Sequence, residues 1–165
     1  MQLNQILERC RRLEERVAAL YRAYATSARA EPSVCALWTG LAREEEGHAH
    51  ALALARSRIV ATEGWRTWVE GWEEALVEVE QRVAAGEKLV QYGTARQLSA
   101  ALDLEMTELE VLRRVLLAAC HEPPEETSAA HAVGFAKAAA KLSDDPHVRL
   151  QAALLHARAR GSKVE

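Results

Sequence analysis

Apolar residues recur at steps of three and four through most of this 165-residue chain, and this spacing constrains the fold more than any other feature. Such a period places the apolar residues along one face of an α-helix. The composition agrees, because Ala, Leu, Glu and Arg are abundant and β-branched residues are few. The sequence therefore predicts an all-α protein. The stripe of the first predicted helix, residues 3–28, comprises Leu3, Leu7, Cys10, Val17, Tyr21, Tyr24 and Ala28.

Turn signals divide the chain into long helices. A turn with Pro32 separates the first helix from a second over about residues 33–59, and its shortness predicts an antiparallel pair. Residues 62–93 form a connector with a helix of its own. Its length allows a crossover that makes the third helix, about residues 94–120, parallel to the second. A fourth helical region follows Pro124, with Thr127 or Ser128 as its cap.

Glu14 and Glu15 are adjacent on the first helix but are expected on different faces of it. Glu14 lies on the apolar stripe, four residues after Cys10. Glu15 instead neighbours Arg11 and Arg22 and is expected to face solvent. Glu14 is thus a candidate core carboxylate, with a boundary position as the alternative.

The second helix carries a Glu-x-x-His pattern on its apolar face. Glu45 and His48 are three residues apart, so they share that face. A carboxylate and an imidazole there are costly unless they are paired or bound to a metal. Glu14 and Glu45 lie at similar distances from the intervening turn and are therefore expected at one level. Glu46 is predicted to face solvent, and Glu44 remains a second choice for the inward position.

Glutamates also occupy the apolar stripe of the third helix. Glu105 lies three residues after Leu102 and four before Leu109. Glu108 is one turn further along the same side, as a second inward carboxylate or as a boundary residue. These two side chains are expected near the level of Glu45.

The fourth region contains a carboxylate-x-x-His pattern, Asp144 with His147, at the level that mirrors Glu105 across the preceding turn. Pro146 interrupts it and leaves two interpretations. In one, the helix is kinked and both side chains turn inward, with Asp145 as a substitute ligand if the kink rotates the other way. In the other, a new helix begins there with Ser143 or Asp144 as its N-cap, and His147 has no role.

The order of these motifs resembles the rubrerythrin-type di-iron carboxylate proteins of the ferritin-like superfamily. The resemblance implies a ferritin-like four-helix bundle over residues 1–160, with an additional helix in the 62–93 connection and a tail at 161–165. It also implies two Fe ions, or alternatively Mn or Zn, with Glu45 as the bridging carboxylate, Glu108 as a mobile ligand and Tyr21 as a hydrogen-bond donor beside the ligands. The implied metal ligands are Glu14, Glu45, His48, Glu105, Glu108, Asp144 and His147.

The activity that the resemblance implies is an oxidoreductase acting on peroxide or O₂, with a homodimer as the assembly. The chain has no Cys-x-x-Cys, so it contains no rubredoxin module and the electron donor would be a separate protein. The clustered carboxylates would repel one another without metal, so metal binding is expected to stabilise the fold.

Two other functions stay open from the sequence. One is a protein that binds or handles iron without catalysis. The other is a metal-free helical bundle that acts through its surface, where Trp65, Trp68 and Trp72 of the connector would contact a partner. The alternative for these tryptophans is packing across the bundle as a lid.

Composition excludes several other classes. The net charge of −3 gives no indication of binding to nucleic acid or to an anionic membrane surface. No apolar run approaches the roughly 20 residues of a membrane span. The first residues lack the basic and apolar regions of a signal peptide. The three cysteines are widely spaced, which is typical of a reducing compartment, so a cytoplasmic location is expected.

Overall fold

The computed structural model describes residues 1–28, 31–61, 72–120 and 127–161, and these ranges form six α-helices. The all-α prediction is confirmed, and the predicted bounds of the three longest helices agree within two residues. None of the helices in these ranges is long and apolar enough to span a membrane. The helices are α1 (Leu3–Ser27), α2 (Pro32–Ala61), α3 (Trp72–Glu87), α4 (Thr94–Cys120), α5 (Thr127–Leu142) and α6 (Pro146–Gly161).

Helices α1 and α2 run antiparallel, as the short turn predicts. Arg56 of α2 contacts Glu8 of α1, and His48 contacts Glu14, each at 3.6 Å. Residue numbers thus rise along one helix as they fall along the other. This pairing brings the middle of α2 level with the middle of α1.

Helix α4 also runs antiparallel to α1. Gln97 donates a hydrogen bond to Ser27 at 3.0 Å, and Tyr21 donates one to Glu105 at 2.9 Å. Helices α2 and α4 are therefore parallel, the direction that the long connector predicts. Their N-terminal ends also meet, because Thr94 donates a hydrogen bond to Glu31 at 3.3 Å.

Helix α3, in the connector, packs along α1. Arg9 makes two hydrogen bonds to Glu80, at 2.6 and 2.7 Å, and the Tyr24 hydroxyl donates to the carbonyl of Gly86 at 2.8 Å. Trp72 is buried at the start of α3, as expected of a packing residue. Trp65 and Trp68 lie outside the described residues.

The segment around Pro146 follows the second interpretation of the sequence. Helix α5 ends at Leu142 and α6 begins at Pro146. The N-cap is Asp145, rather than Ser143 or Asp144, because its Oδ1 accepts a hydrogen bond from the His147 backbone at 2.8 Å. Pro146 has no N–H to donate, so the first helical position suits it.

An aromatic cluster joins three of the helices in the core. The indole of Trp38 on α2 stacks on Tyr21 with ring centroids 5.5 Å apart, and it also contacts Tyr24 and Phe135. All four rings are almost fully buried. This packing fixes the position of Tyr21 and draws α5 against α2.

Candidate metal centre

Side chains of four helices converge in the interior, next to the aromatic cluster. These side chains project from the apolar faces of their helices, so folding buries their polar groups together with the core. Five of the six are nearly inaccessible, and the sixth, His48, keeps 22% of its side chain exposed. The six residues are Glu14 of α1, Glu45 and His48 of α2, Glu105 and Glu108 of α4, and His131 of α5.

The first half of this cluster joins α1 to α2. His48 Nδ1 lies 2.8 Å from Glu45 Oε2 and 3.6 Å from Glu14 Oε2. One potential ligand atom from each residue falls within 4.8 Å of the other two. That spacing is small enough for one metal ion to contact all three.

The second half joins α2, α4 and α5. His131 Nε2 lies 3.1 Å from Glu105 Oε2 and 3.3 Å from Glu45 Oε1. These three residues also present ligand atoms within 4.8 Å of one another. Glu45 belongs to both halves, so it lies where a bridging carboxylate would be needed.

Two further residues orient the cluster from outside. The Tyr21 hydroxyl donates to Glu105 Oε1 at 2.9 Å. Glu44 is half-exposed, and its carboxylate hydrogen-bonds Nδ1 of His131. Because Nδ1 is engaged there, Nε2 of the same ring faces Glu45 and Glu105.

Three carboxylate oxygens in the cluster are buried without a hydrogen-bond partner. They are Oε2 of Glu14, Oε1 of Glu45 and Oε1 of Glu108. Burying such an atom unpaired costs about 1–3 kcal/mol, and more for a charged group. A cation bound between these oxygens would remove that penalty.

The pKa values of the buried carboxyl groups are shifted in opposite directions by burial and by neighbouring groups. Burial raises the pKa values of Glu14 and Glu108 well above their usual range, and the charge of Glu45 adds to the effect. The pKa of Glu45 is lowered despite its burial, because His48 and Glu14 hydrogen-bond it and His131 lies nearby. A proton within this pair therefore favours Glu14 over Glu45.

The pKa values of the two imidazoles and of the Tyr21 phenol are raised. Burial opposes protonation of His131, yet the charge and hydrogen bond of Glu105 raise its pKa to about 12. The pKa of His48 is also raised, since Glu45 outweighs the effect of burial. Burial and the charge of Glu105 raise the Tyr21 pKa well above its usual value. Without metal, the charged imidazoles thus partly neutralise the carboxylates.

Cys10 lies beside the cluster but does not enter it. A small cavity of about 10 Å³ is lined by Cys10, Glu14 and Glu108, among others. That volume holds about one water molecule. Burial raises the pKa of the Cys10 thiol to about 12. The thiol is therefore protonated and packs as a small apolar group.

Asp144 and His147 do not join the cluster, and this corrects their placement as ligands. The Asp144 side chain is 99% exposed and contacts Arg149, and His147 is also exposed. Asp145, the substitute ligand, caps α6 instead. The reason is the break before Pro146, because a new helix begins there and leaves Asp144 and His147 exposed at its start.

His131 supplies the imidazole on α5 that sequence reasoning assigned to His147. The signal was present, because His131 starts the inner stripe that Phe135 continues. The carboxylate-x-x-His pattern does not predict His131 as a ligand, because the residue three positions earlier is Ser128 and not Asp or Glu.

Comparison with protein-family models, with curated proteins and with solved structures gives no match for this chain.

Proposed function

We propose that this chain is a ferritin-like four-helix bundle of the rubrerythrin type, formed by α1, α2, α4 and α5, which binds two iron ions. Its proposed activity is the reduction of peroxide or O₂, with electrons from a separate donor protein. The support comes from one observation above all. Four helices bring six potential ligands together around three buried carboxylate oxygens that have no hydrogen-bond partner among the described residues.

The donor set fits this pair of ions. Carboxylate and imidazole ligands suit Fe, Mn and Zn, and no thiolate takes part. The four glutamates carry four negative charges when ionised, which equals the charge of two divalent ions. Bound cations would offset both the burial and the mutual repulsion that raise the pKa values of Glu14 and Glu108 in the metal-free protein.

The ligands divide into two groups around a shared carboxylate. Glu14 and His48 would hold one ion, and Glu105 and His131 the other, with Glu45 between them. Glu108 would add a carboxylate through its unpaired oxygen. This division replaces the Asp144–His147 half of the set that the sequence predicted.

The protein's own groups would prepare the centre for redox chemistry. Bound iron would supply the electron transfer to peroxide or O₂. Tyr21 fixes Glu105 through its hydroxyl and keeps its proton, because its pKa is well above neutral. The Trp38 cluster beside it excludes water from that side, which strengthens the electrostatic interactions within the centre.

Metal content tests the first part of the proposal. Protein purified after expression with added iron should contain two iron ions per chain by elemental analysis. Glu45→Ala should lose both ions, because Glu45 belongs to both halves of the centre. Glu46→Ala is the matched control, since Glu46 is exposed and contacts Arg22. Loss of iron in neither variant would contradict the proposal.

Peroxide consumption by the iron-loaded protein with a reductant tests the second part. Turnover should disappear in Glu45→Ala and persist in Glu46→Ala. Iron retained at two ions per chain without any turnover would leave a protein that binds iron without catalysis.

A further inference from the structure

A large groove between α2 and α5 runs along the surface above the candidate metal centre. Its volume is about 1030 Å³. Nine of its twelve described lining residues are Ala, Gly, Leu or Phe. Gly40 and Gly47 of α2 face Gly134 of α5 across it, and Leu41 and Phe135 form buried parts of its wall. The groove is therefore a mainly apolar space that the two helices leave open.

Packing among the described residues does not require the three glycines. A Cβ atom added at Gly40, Gly47 or Gly134 would meet nothing within 4 Å. Glycine inside a helix costs roughly 0.5–1 kcal/mol relative to alanine. The three glycines widen the groove and lower the stability of the helices. No contact among the described residues offsets that loss.

The polar part of the groove belongs to the candidate centre. His48 and His131 both line it, with ring centroids 5.4 Å apart, and so does Glu44, which contacts His131. A molecule in the groove would therefore contact the two imidazoles. Its proximity to metal rests on the proposed function, whereas its binding does not.

The size and polarity of the groove define its occupant. A water molecule takes about 30 Å³ of liquid, so peroxide or O₂ would fill only a small part of the space. Sites for organic ligands span about 300–1,000 Å³ and have mainly apolar walls with a few polar groups. The charged groups that line the groove are paired, His48 with Glu45 and His131 with the Glu44 carboxylate, so the described lining offers no unpaired charge to an ion. A helix from a second copy would bury that carboxylate, at a desolvation cost, whereas a small molecule can leave it in water.

We propose that the α2–α5 groove binds a neutral organic molecule with an apolar body, which lies against His48 and His131. The molecule takes the place of the side chains that Gly40, Gly47 and Gly134 lack. It would thus approach the candidate metal centre from the side of the two imidazoles.

A neutral fluorescent probe, N-phenyl-1-naphthylamine, tests this inference in metal-free protein. We expect saturable binding of one probe per chain. Gly40→Leu and Gly134→Leu each add a side chain at a position where a Cβ atom meets nothing within 4 Å, and both should weaken binding about tenfold or more. Gly93→Leu is the matched control, because Gly93 also has open space around it but lies outside the groove. Circular dichroism should be unchanged in all three variants.

Several results would overturn the inference. These are the absence of saturable binding, equal affinity in Gly40→Leu and Gly93→Leu, and a dimer that dissociates in Gly40→Leu by light scattering. The last result would make the groove a subunit interface. Iron content measured in parallel separates the two proposals. A normal iron content without probe binding would contradict only the groove proposal. Probe binding without iron would contradict only the proposed metal centre.

Discussion

A hydrogen bond joins Glu44 on α2 to Nδ1 of His131 on α5, although 87 residues separate them in the chain. The Glu44 carboxylate accepts this bond when ionised, and the contact lowers its pKa. The bond holds Nδ1 on the side of Glu44 and turns Nε2 toward Glu45 and Glu105. A carboxylate behind a metal-binding histidine sets the orientation of the ring and raises its basicity.

Removing this carboxylate should weaken metal binding without removing a ligand. We expect Glu44→Ala to lower the affinity for Co(II), measured by competition with a chelator, by about 10–100-fold. Glu46→Ala is the control, because it removes an exposed glutamate of the same helix that contacts Arg22. Equal affinities in the two variants would show that Glu44 does not orient His131.

The two candidate histidines of the C-terminal part can be compared directly. His131→Ala should reduce the iron content to one ion per chain or less, because it removes the imidazole of the second half. His147→Ala should leave the iron content unchanged, since His147 is exposed at the start of α6. Elemental analysis of both variants, purified side by side, measures the difference. Iron loss in His147→Ala alone would favour the original sequence prediction.

Periodicity predicted the parts of the centre that lie on uninterrupted helices. Glu14 and Glu15 are adjacent in sequence, yet Glu14 is buried while Glu15 is exposed and pairs with Arg11, as their neighbours one turn away predict. Glu105 and Glu108 are buried for the same reason. Because an unbroken helix keeps a constant period of 3.6 residues, the residues that share one face can be predicted along its whole length.

The fourth helix was harder to predict because the chain breaks there. Periodicity holds its phase only within one helix, and Pro146 ends that continuity. His131 lies before the break and faces the core, whereas Asp144 and His147 lie after α5 has ended. The carboxylate-x-x-His pattern occurs at His147, which is exposed, and not at His131, which lies beside Glu105. The pairing of Glu44 with His131 depends on the distance between helices, which no local pattern encodes.

The stability of the metal-free protein should depend on pH through Glu14 and Glu108. Their pKa values are raised in the fold, from about 4.3 in the unfolded chain. Above that value the folded state binds more protons, so the free energy of unfolding falls as pH rises. The limiting slope is about 1.4 kcal/mol per pH unit for each proton. His131, with its pKa raised to about 12, contributes in the same direction above about pH 6.5.

Denaturant unfolding of the metal-free protein between about pH 5 and 8 measures this slope. The double variant Glu14→Gln/Glu108→Gln should be less sensitive to pH, because the amides do not titrate. Glu15→Gln is the control and should keep the slope of the original protein, since Glu15 is exposed. Metal should reverse the trend, because ligands must lose their protons to bind it. A metal-free protein that becomes more stable across this range would contradict the assignment.

Alanine substitution of glycines separates the open groove from the packed core. Gly40→Ala should raise the free energy of unfolding by about 0.5–1 kcal/mol, because the helix gains propensity and the new methyl meets no atom. Gly86→Ala should lower it, since the added Cβ would lie 2.9 Å from Leu20 Cδ2 and 3.2 Å from the Tyr24 hydroxyl, both buried. Overpacking of this kind costs about 1–3 kcal/mol, which exceeds the gain in propensity. Thermal and denaturant unfolding of the metal-free variants measure both changes, and a gain in stability for Gly86→Ala would mean that α1 and α3 pack less tightly than the Arg9–Glu80 contact indicates.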